Sequence, residues 1–356
     1  MTTTRNPLTA GPNPPATRSL VAGGLRAARR AAMAIALLAL GLGQAFAQNG
    51  TLPTEIPKDT RLVVADQNEA LQTLMTASGE HAKLTATVTY ANFLGGPAIL
   101  EAFRAGALDL ATVGNTPPIQ AHAAGERIPI VAARTSSEPD YSLAVRPGLT
   151  VTRLEDLRGK RIAYAEGTGR QPFVLNALKL AGLTRRDVKL VPLRAADFPD
   201  AIRSGQVDVA ALNEPHFSRY LADFAGAGAL PQSENRRLPR SLTYLYASGQ
   251  ALADPAKAAA IREFVGRWIA ANKWAKANPD EWVRAYYVER QNLKEADGRA
   301  IVDAEGAIAF PTLESLVPQQ QVLIDLIHGA GDLPKRLDAR EEFDLRFDDV
   351  IAANAD

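Results

Sequence analysis

A phrase of nine residues is written twice in this chain, and it narrows the available folds more than any other feature. The first copy is Phe103-Arg104-Ala105-Gly106-Ala107-Leu108-Asp109-Leu110-Ala111, the second Ile202-Arg203-Ser204-Gly205-Gln206-Val207-Asp208-Val209-Ala210. Each reads as a helix end, a glycine stop and a short apolar strand with one aspartate near its start. Glycine just past a helix takes the left-handed backbone that ends it. The apolar run suits a parallel strand buried on both faces. Asp109 and Asp208 are therefore assigned to structure, as acceptors of hydrogen bonds from a neighbouring loop.

The echo extends outward. Arg61-Leu62-Val63-Val64-Ala65 is matched by Arg161-Ile162-Ala163-Tyr164-Ala165, and Gly114-Asn115-Thr116-Pro117-Pro118 loosely by Asn213-Glu214-Pro215. A period near one hundred residues is too long for a solenoid. It predicts a whole α/β domain used twice.

Residues 1–47 hold five arginines (Arg5, Arg18, Arg26, Arg29, Arg30) and no acidic residue, then the apolar run Ala31–Leu42 and Ala45-Phe46-Ala47. A basic segment, a short apolar core and an A-x-A site predict a cleaved secretory signal peptide. The run is shorter than the roughly 20 residues a helix needs to span a bilayer. Without that segment the balance of 40 basic and 39 acidic residues becomes 35 against 39. A mildly acidic secreted chain gives no electrostatic case for nucleic acid or an anionic membrane. Cysteine is absent, which excludes disulfides, thiolate metal sites and cysteine nucleophiles, and a lipid anchor through an N-terminal cysteine. The product is expected in the periplasm as a soluble monomer.

About 309 residues remain, room for two domains. Strand and helix alternate through the first two-thirds, which predicts mainly parallel sheets flanked by helices. In the first unit, strands are predicted at 61–65, 84–90, 108–113 and 128–133. Helices fall near 68–78, from Gly96-Pro97 to Gly106, and from Thr116-Pro117, where threonine can cap and proline suits the first turn. The second unit has strands at 161–165, 188–193 and 207–212. Its helices run from Gly167-Thr168-Gly169 to Ala181, over 197–204, and from Pro215. Tyr141–Val145 reads as a strand crossing into the second unit and Leu242–Ala247 as one crossing back. The remainder is mostly helical, at Pro255–Asn278, Asp280–Glu289 and 314–329.

Several phrases now stand in a telling order: Gly96-Pro97, Glu101 to Asp109, Gly114 to Pro118, Leu154 to Ala163, Gly167-Thr168-Gly169, Ala181-Gly182-Leu183, Gln319-Gln320-Gln321 and Leu333-Pro334. Over about 250 residues this order resembles the substrate-binding proteins of ABC importers, in the branch for aliphatic sulfonates, taurine and nitrate. The resemblance implies an α/β, type II periplasmic-binding-protein fold. It has two lobes, each a mainly parallel sheet flanked by helices, with two crossing hinge strands and the ligand between. Lobe 1 would comprise 48–143 and 245–356, and lobe 2 would comprise 144–244. The implied partners are a small-molecule ligand and a membrane permease, with no cofactor.

Ligands of open α/β sheets bind beyond the carboxyl ends of the strands. Helices start there, offering unpaired N–H groups and a positive dipole end. Four such starts are Leu94-Gly95-Gly96, Asn115-Thr116, Thr168-Gly169-Arg170 and Asn213-Glu214. The glycines let backbone approach a ligand, and Thr116 and Thr168 add hydroxyls. A sulfonate, anionic at neutral pH, suits converging N–H groups. Arg170 either offers its forked cation to an oxyanion or lies on the solvent face of its helix. Asp66 and Gln67 either reach the cleft or form a turn and cap. The stretch Leu212-Asn213-Glu214-Pro215-His216-Phe217 keeps an acid and a proline of the family pattern but changes the flanking aromatics, and His216 joins the candidate site. Glu214 would repel a bare anion. This admits an aminoalkanesulfonate, or an uncharged heterocycle such as a thiamine-precursor pyrimidine.

Catalysis is not expected. His81, His122, His216 and His328 show no metal-ligand spacing, and no G-x-S-x-G, HExxH or P-loop occurs. Glu341-Glu342 reads as a solvated face. The implied mechanism is capture by hinge closure and delivery to the permease. A ligand-sensing partner of a membrane receptor and an enzyme on the same frame are the alternatives.

Overall fold

Backbone pairing in the computed structural model, which describes residues 50–240 and 242–355, divides the strands between two sheets. The expected signal peptide, 1–47, lies outside the described residues. Along the chain the strands are β1 (Arg61–Gln67), β2 (Thr87–Phe93), β3 (Leu110–Gly114), β4 (Ile130–Ser136), β5 (Ser142–Val145), β6 (Arg161–Tyr164), β7 (Lys189–Pro192), β8 (Val209–Leu212), β9 (Gly228–Ala229), β10 (Leu242–Ala247) and β11 (Ile308–Ala309). The helices that bear on the site are α1 (Ala70–Ala77), α2 (Gly96–Arg104), α3 (Pro117–Ala123), α4 (Arg170–Leu180), α5 (Phe198–Arg203), α6 (His216–Asp223), α7 (Pro255–Ala277) and α8 (Leu313–Gly329).

The first sheet has the order β11–β4–β10–β3–β1–β2 and the second β7–β6–β8–β5–β9. β1 is parallel to β2 and β3, as β6 is to β7 and β8. Beside β3 lies antiparallel β10, and beside β8 lies antiparallel β5. Both sheets thus share one unit, β2–β1–β3–β10 and β7–β6–β8–β5, finished by a strand laid down next to a crossing. β5 and β10 themselves, expected to cross, each lie wholly in one sheet. Their backbones are committed to β8 and β9, and to β3 and β4. The chain changes sheet ahead of them, between Ser136 and Ser142 and between Ala229 and Leu242.

The repeated phrase behaves alike in both sheets. α2 and α5 end, Gly106 and Gly205 take φ of 68° and 73°, and β3 and β8 follow with Leu110, Ala111, Val209 and Ala210 inaccessible to solvent. Asp109 Oδ2 accepts the Val63 N–H at 2.9 Å, and Asp208 Oδ2 accepts the Arg161 N–H at 2.9 Å. The donor is the neighbouring strand rather than a loop. Register pairs Val64 with Leu110 and Ile162 with Val209. The counterpart of Val63 is therefore Arg161 and not Ala163, and the upstream sequence echo runs out of register.

The C-terminal segment packs onto the first sheet, with Ala339, Phe343 and Phe347 buried and Ile130 bridging to Phe343. Glu342, read from the sequence as part of a solvated face, is instead 4% exposed. It accepts from Gln320 Nε2 at 2.7 Å and lies 3.2 Å from His122 Nδ1, partners that compensate the loss of water. Glu341 stays at the surface. The helix expected over 280–289 is a short α-turn, Pro279–Trp282, running into a π-turn, Val283–Val288. Among the described residues no helix is long and apolar enough to cross a membrane.

Asp208 also pairs with the Arg161 and Arg146 guanidiniums, each at 2.8 Å. Those bonds, Arg161 first, hold its carboxyl well below the usual carboxylate range. Asp208→Ala is expected to cost about 2–3 kcal/mol, the worth of hydrogen bonds to a charged group, read from urea midpoints. A depressed carboxyl pKa stabilises the fold above the unfolded value and loses that contribution as pH falls through the folded one. The gap between wild type and variant should therefore narrow below about pH 4. A gap unchanged from neutral to strongly acidic pH would contradict this role.

Candidate ligand-binding cleft

The carboxyl ends of β1, β3, β6 and β8 open onto a cavity of about 950 Å3. Its lining brings together Asp66, Gln67, Leu94, Gly95 and Gly96 with Thr168, Gly169, Arg170, Asn213, Glu214 and His216. Asn115 and Thr116 lie apart from it. Asn115 lines a small neighbouring cavity, and Thr116 is fully buried with Oγ1 3.3 Å from Asn115 Oδ1. The Thr116 cap expected from the sequence is not made. α3 opens on Pro117-Pro118, which have no N–H, so that of Ile119 is the first a cap could accept from.

The helix starts at the cavity differ in how their N–H groups are met. Asp66 caps α1: Oδ1 accepts from Leu71 at 2.9 Å and Oδ2 from Gln72 at 2.8 Å. It is thus both a wall residue and a cap. Glu214 Oε2 accepts the Ser218 N–H of α6 at 3.1 Å. By contrast, α2 and α4 begin after Gly95 and Gly169 and have no side-chain cap at those positions. They approach the cavity from opposite sheets. Thr168 Oγ1 is used within its own loop, donating to Ala165 O at 2.8 Å and accepting from Arg170 N–H at 3.3 Å.

Arg170 points inward. Its Nε donates to Ala211 O at 3.2 Å and Nη2 to Asn213 Oδ1 at 2.6 Å, both neutral oxygens. The guanidinium lies 5.0 Å from the centre of the Tyr141 ring and 5.7 Å from that of Phe198. Burial pushes the Asp66 and Glu214 carboxyls up, against the N–H bonds that oppose the shift. Burial, with Arg170 and Arg219 nearby, pushes His216 down. Each shift favours the neutral form of its group.

Behind this wall Asp332 fastens the glycine loop. Gly167 N–H donates to Gln171 Oε1 at 2.9 Å, and Gln171 Nε2 donates to Asp332 Oδ2 at 2.7 Å. Asp332 also accepts from Tyr164 Oη at 2.8 Å and Arg185 Nη1 at 2.6 Å. Sequence reasoning did not single out Tyr141, Tyr164 or Arg194, nor the ring group Trp282, Tyr286 and Tyr287, all of which line the cavity. A signal existed for the rings: Trp282 and Tyr286 are four apart, the spacing of one helical face. Among the described residues no group of three or more acidic, histidine or cysteine side chains is placed to hold a metal ion.

Two α/β sheets joined by two crossings, with helix starts around a shared cavity, make this a two-lobed binding-protein fold. The alkanesulfonate-binding protein SsuA of Xanthomonas axonopodis pv. citri, solved bound to MOPS, superposes with a TM-score of 0.71 at 23% identity, covering 82% of this chain and 99% of that one. The profile of the NMT1/THI5 like family matches residues 94–281, and the chain belongs to that family. An aliphatic sulfonates-binding protein of Escherichia coli (strain K12) is 31% identical over 134 residues, 38% of this chain and 42% of that relative. A Bacillus subtilis (strain 168) protein of the same name is 25% identical over 280 residues, 73% of this chain and 77% of its own.

A Cβ added at Gly169 would sit 2.6 Å from Tyr141 Oη. Gly169→Ala is therefore expected to destabilise by about 1–3 kcal/mol, the usual cost of overpacking, and Tyr141→Phe in the same chain should recover most of it. Thermal melts of the single and double variants check this. A Gly169→Ala protein as stable as wild type would show that the close approach imposes nothing.

Proposed function

We propose that this chain is the extracytoplasmic solute-binding component of an ABC importer, capturing an aliphatic sulfonate or related anion by closure of two lobes. The observation that carries the reading is the pair of glycine-opened helix starts, α2 and α4, entering one cavity from opposite sheets beside the inward-facing Arg170. Backbone N–H groups, two positive dipole ends and a forked cation suit an oxyanion. The names of the relatives point to the same ligand class.

In this reading residues 1–47 are a signal peptide removed on export, and the mature chain works in the periplasm as a monomer without a lipid anchor. Lobe 1 takes 48–143 and 245–356 and lobe 2 takes 144–244, with the sheet memberships of β5 and β10 favouring boundaries slightly earlier, near 141 and 241. Ligand bound by one lobe is enclosed when the other swings over, and a membrane permease reads the closed shape. Contacts made only after closure drive the population shift. No turnover of the ligand is involved.

Ligand that binds only the folded state stabilises it by about 2.7 kcal/mol at a hundredfold excess over Kd. An alkanesulfonate or taurine should therefore raise the melting temperature of the purified protein. No shift with any sulfonate, sulfate ester or nitrate would discard the anion reading. Glu214→Gln removes a like charge worth about 1 kcal/mol in a partly wet cleft. It should tighten ethanesulfonate several-fold and weaken taurine, whose amine it leaves unmet. Equal changes for both ligands in calorimetry would show that Glu214 does not face the ligand.

A further inference from the structure

The cavity exceeds what a short sulfonate requires. At about 950 Å3 it stands at the upper end of the roughly 300–1,000 Å3 of pockets that bury drug-sized ligands. Taurine would leave most of it to water. The excess is not merely a gap between lobes, because one wall is aromatic and belongs to the first sheet. Trp282 stacks on Tyr286 with centroids 4.9 Å apart and planes 4° from parallel. Tyr287 stands edge-on to both rings, at 6.2 and 5.0 Å. Leu71, Leu74 and Trp268 extend the same lining, and with Trp282 they pack in the first sheet's core. Closure of the lobes would leave this wall in place.

The charges that adjoin the wall have partners of their own. Arg134 and Lys276, also in the lining, both pair with Glu305, at 2.6 and 3.3 Å. Arg170, whose bonds go to neutral oxygens, comes from the second sheet's side of the same cavity. A ligand with an anionic head and a flat apolar body uses both surfaces at once. Rings favour a ring as their neighbour, through offset or edge contacts added to area burial.

We infer that the Trp282–Tyr286–Tyr287 wall is a subsite for the flat apolar body of the ligand, so that the protein takes aryl-bearing sulfonates in preference to short aliphatic ones. This rests on the anion reading above. The test is calorimetry on wild type, Trp282→Ala and Trp282→Phe with ethanesulfonate, naphthalenesulfonate and naphthalenemethanol. In wild type, naphthalenesulfonate should bind one site per chain at least tenfold more tightly than ethanesulfonate. Trp282→Ala should cut that ratio about fivefold or more, and Trp282→Phe should keep most of it. Equal affinities in wild type, or a ratio unmoved by either substitution, would overturn the aromatic subsite while leaving the anion reading intact. Naphthalenemethanol bound through Trp282 with neither sulfonate bound would support the wall and overturn the sulfonate class. Binding of none of the compounds would overturn both.

Discussion

A helix beginning at the edge of a sheet presents N–H groups that need an acceptor, and the way each start meets that need decides what this cleft can hold. α1 and α6 supply their own acceptors, Asp66 and Glu214. α3 opens on two prolines, so its first N–H group is that of Ile119. α2 and α4 open on glycine, with no side chain at the cap position, and in α4 the first two N–H groups, of Arg170 and Gln171, go to Thr168 Oγ1 and Thr168 O. The acids that cap the first two starts also face the cavity, and burial shifts them toward neutrality. Arg170 shares the cavity lining with Arg134, Arg194 and Lys276, the first and last of which pair with Glu305 and the second with Asp197. The anion reading rests on this arrangement and not on the net charge of the chain, which is +1.

The same residues are tied to the frame that joins the sheets. α8 starts in the core of the first sheet, through Leu313 and Leu316, and ends against that of the second, through Leu326 and Ala330. Just beyond its end, Asp332 takes bonds from Tyr164, Gln171 and Arg185, so the Gly167–Gly169 loop is anchored to a segment that spans both cores. On the other side, Arg219 in α6 donates to Gln291 O, and Gln291 Nε2 donates to Asn68 O at 3.0 Å. Motion between the lobes has to be accommodated by the two crossings while these side-chain ties are kept or exchanged.

Much of the frame was legible in the sequence because it is set by local rules. The glycine stops at Gly106 and Gly205, the apolar strands after them and the Gly96-Pro97 helix start all follow from backbone preference and burial. The register of the upstream echo was not legible, since Leu62-Val63-Val64 and Ile162-Ala163-Tyr164 are apolar in any alignment and only the bonds of Asp109 and Asp208 fix it. In the cleft, glycine-opened starts could be read, but Thr116 was misleading: a threonine before a helix looks like a cap until the two prolines after it are counted. Glu342 and the aromatic wall depend on residues far apart in the chain, such as His122 and Gln320 around Glu342, and no local pattern brings them together. The direction of Arg170 was likewise set by tertiary partners, Ala211 O and Asn213.

The most direct test is a crystal structure of the protein with a bound sulfonate. The account predicts sulfonate oxygens within hydrogen-bonding distance of backbone N–H groups at the starts of both α2 and α4, with the Arg170 guanidinium as a further donor. A sulfonate held at Asn115–Pro118 or outside the cleft, with the Gly96 and Gly169 backbone facing water, would contradict it.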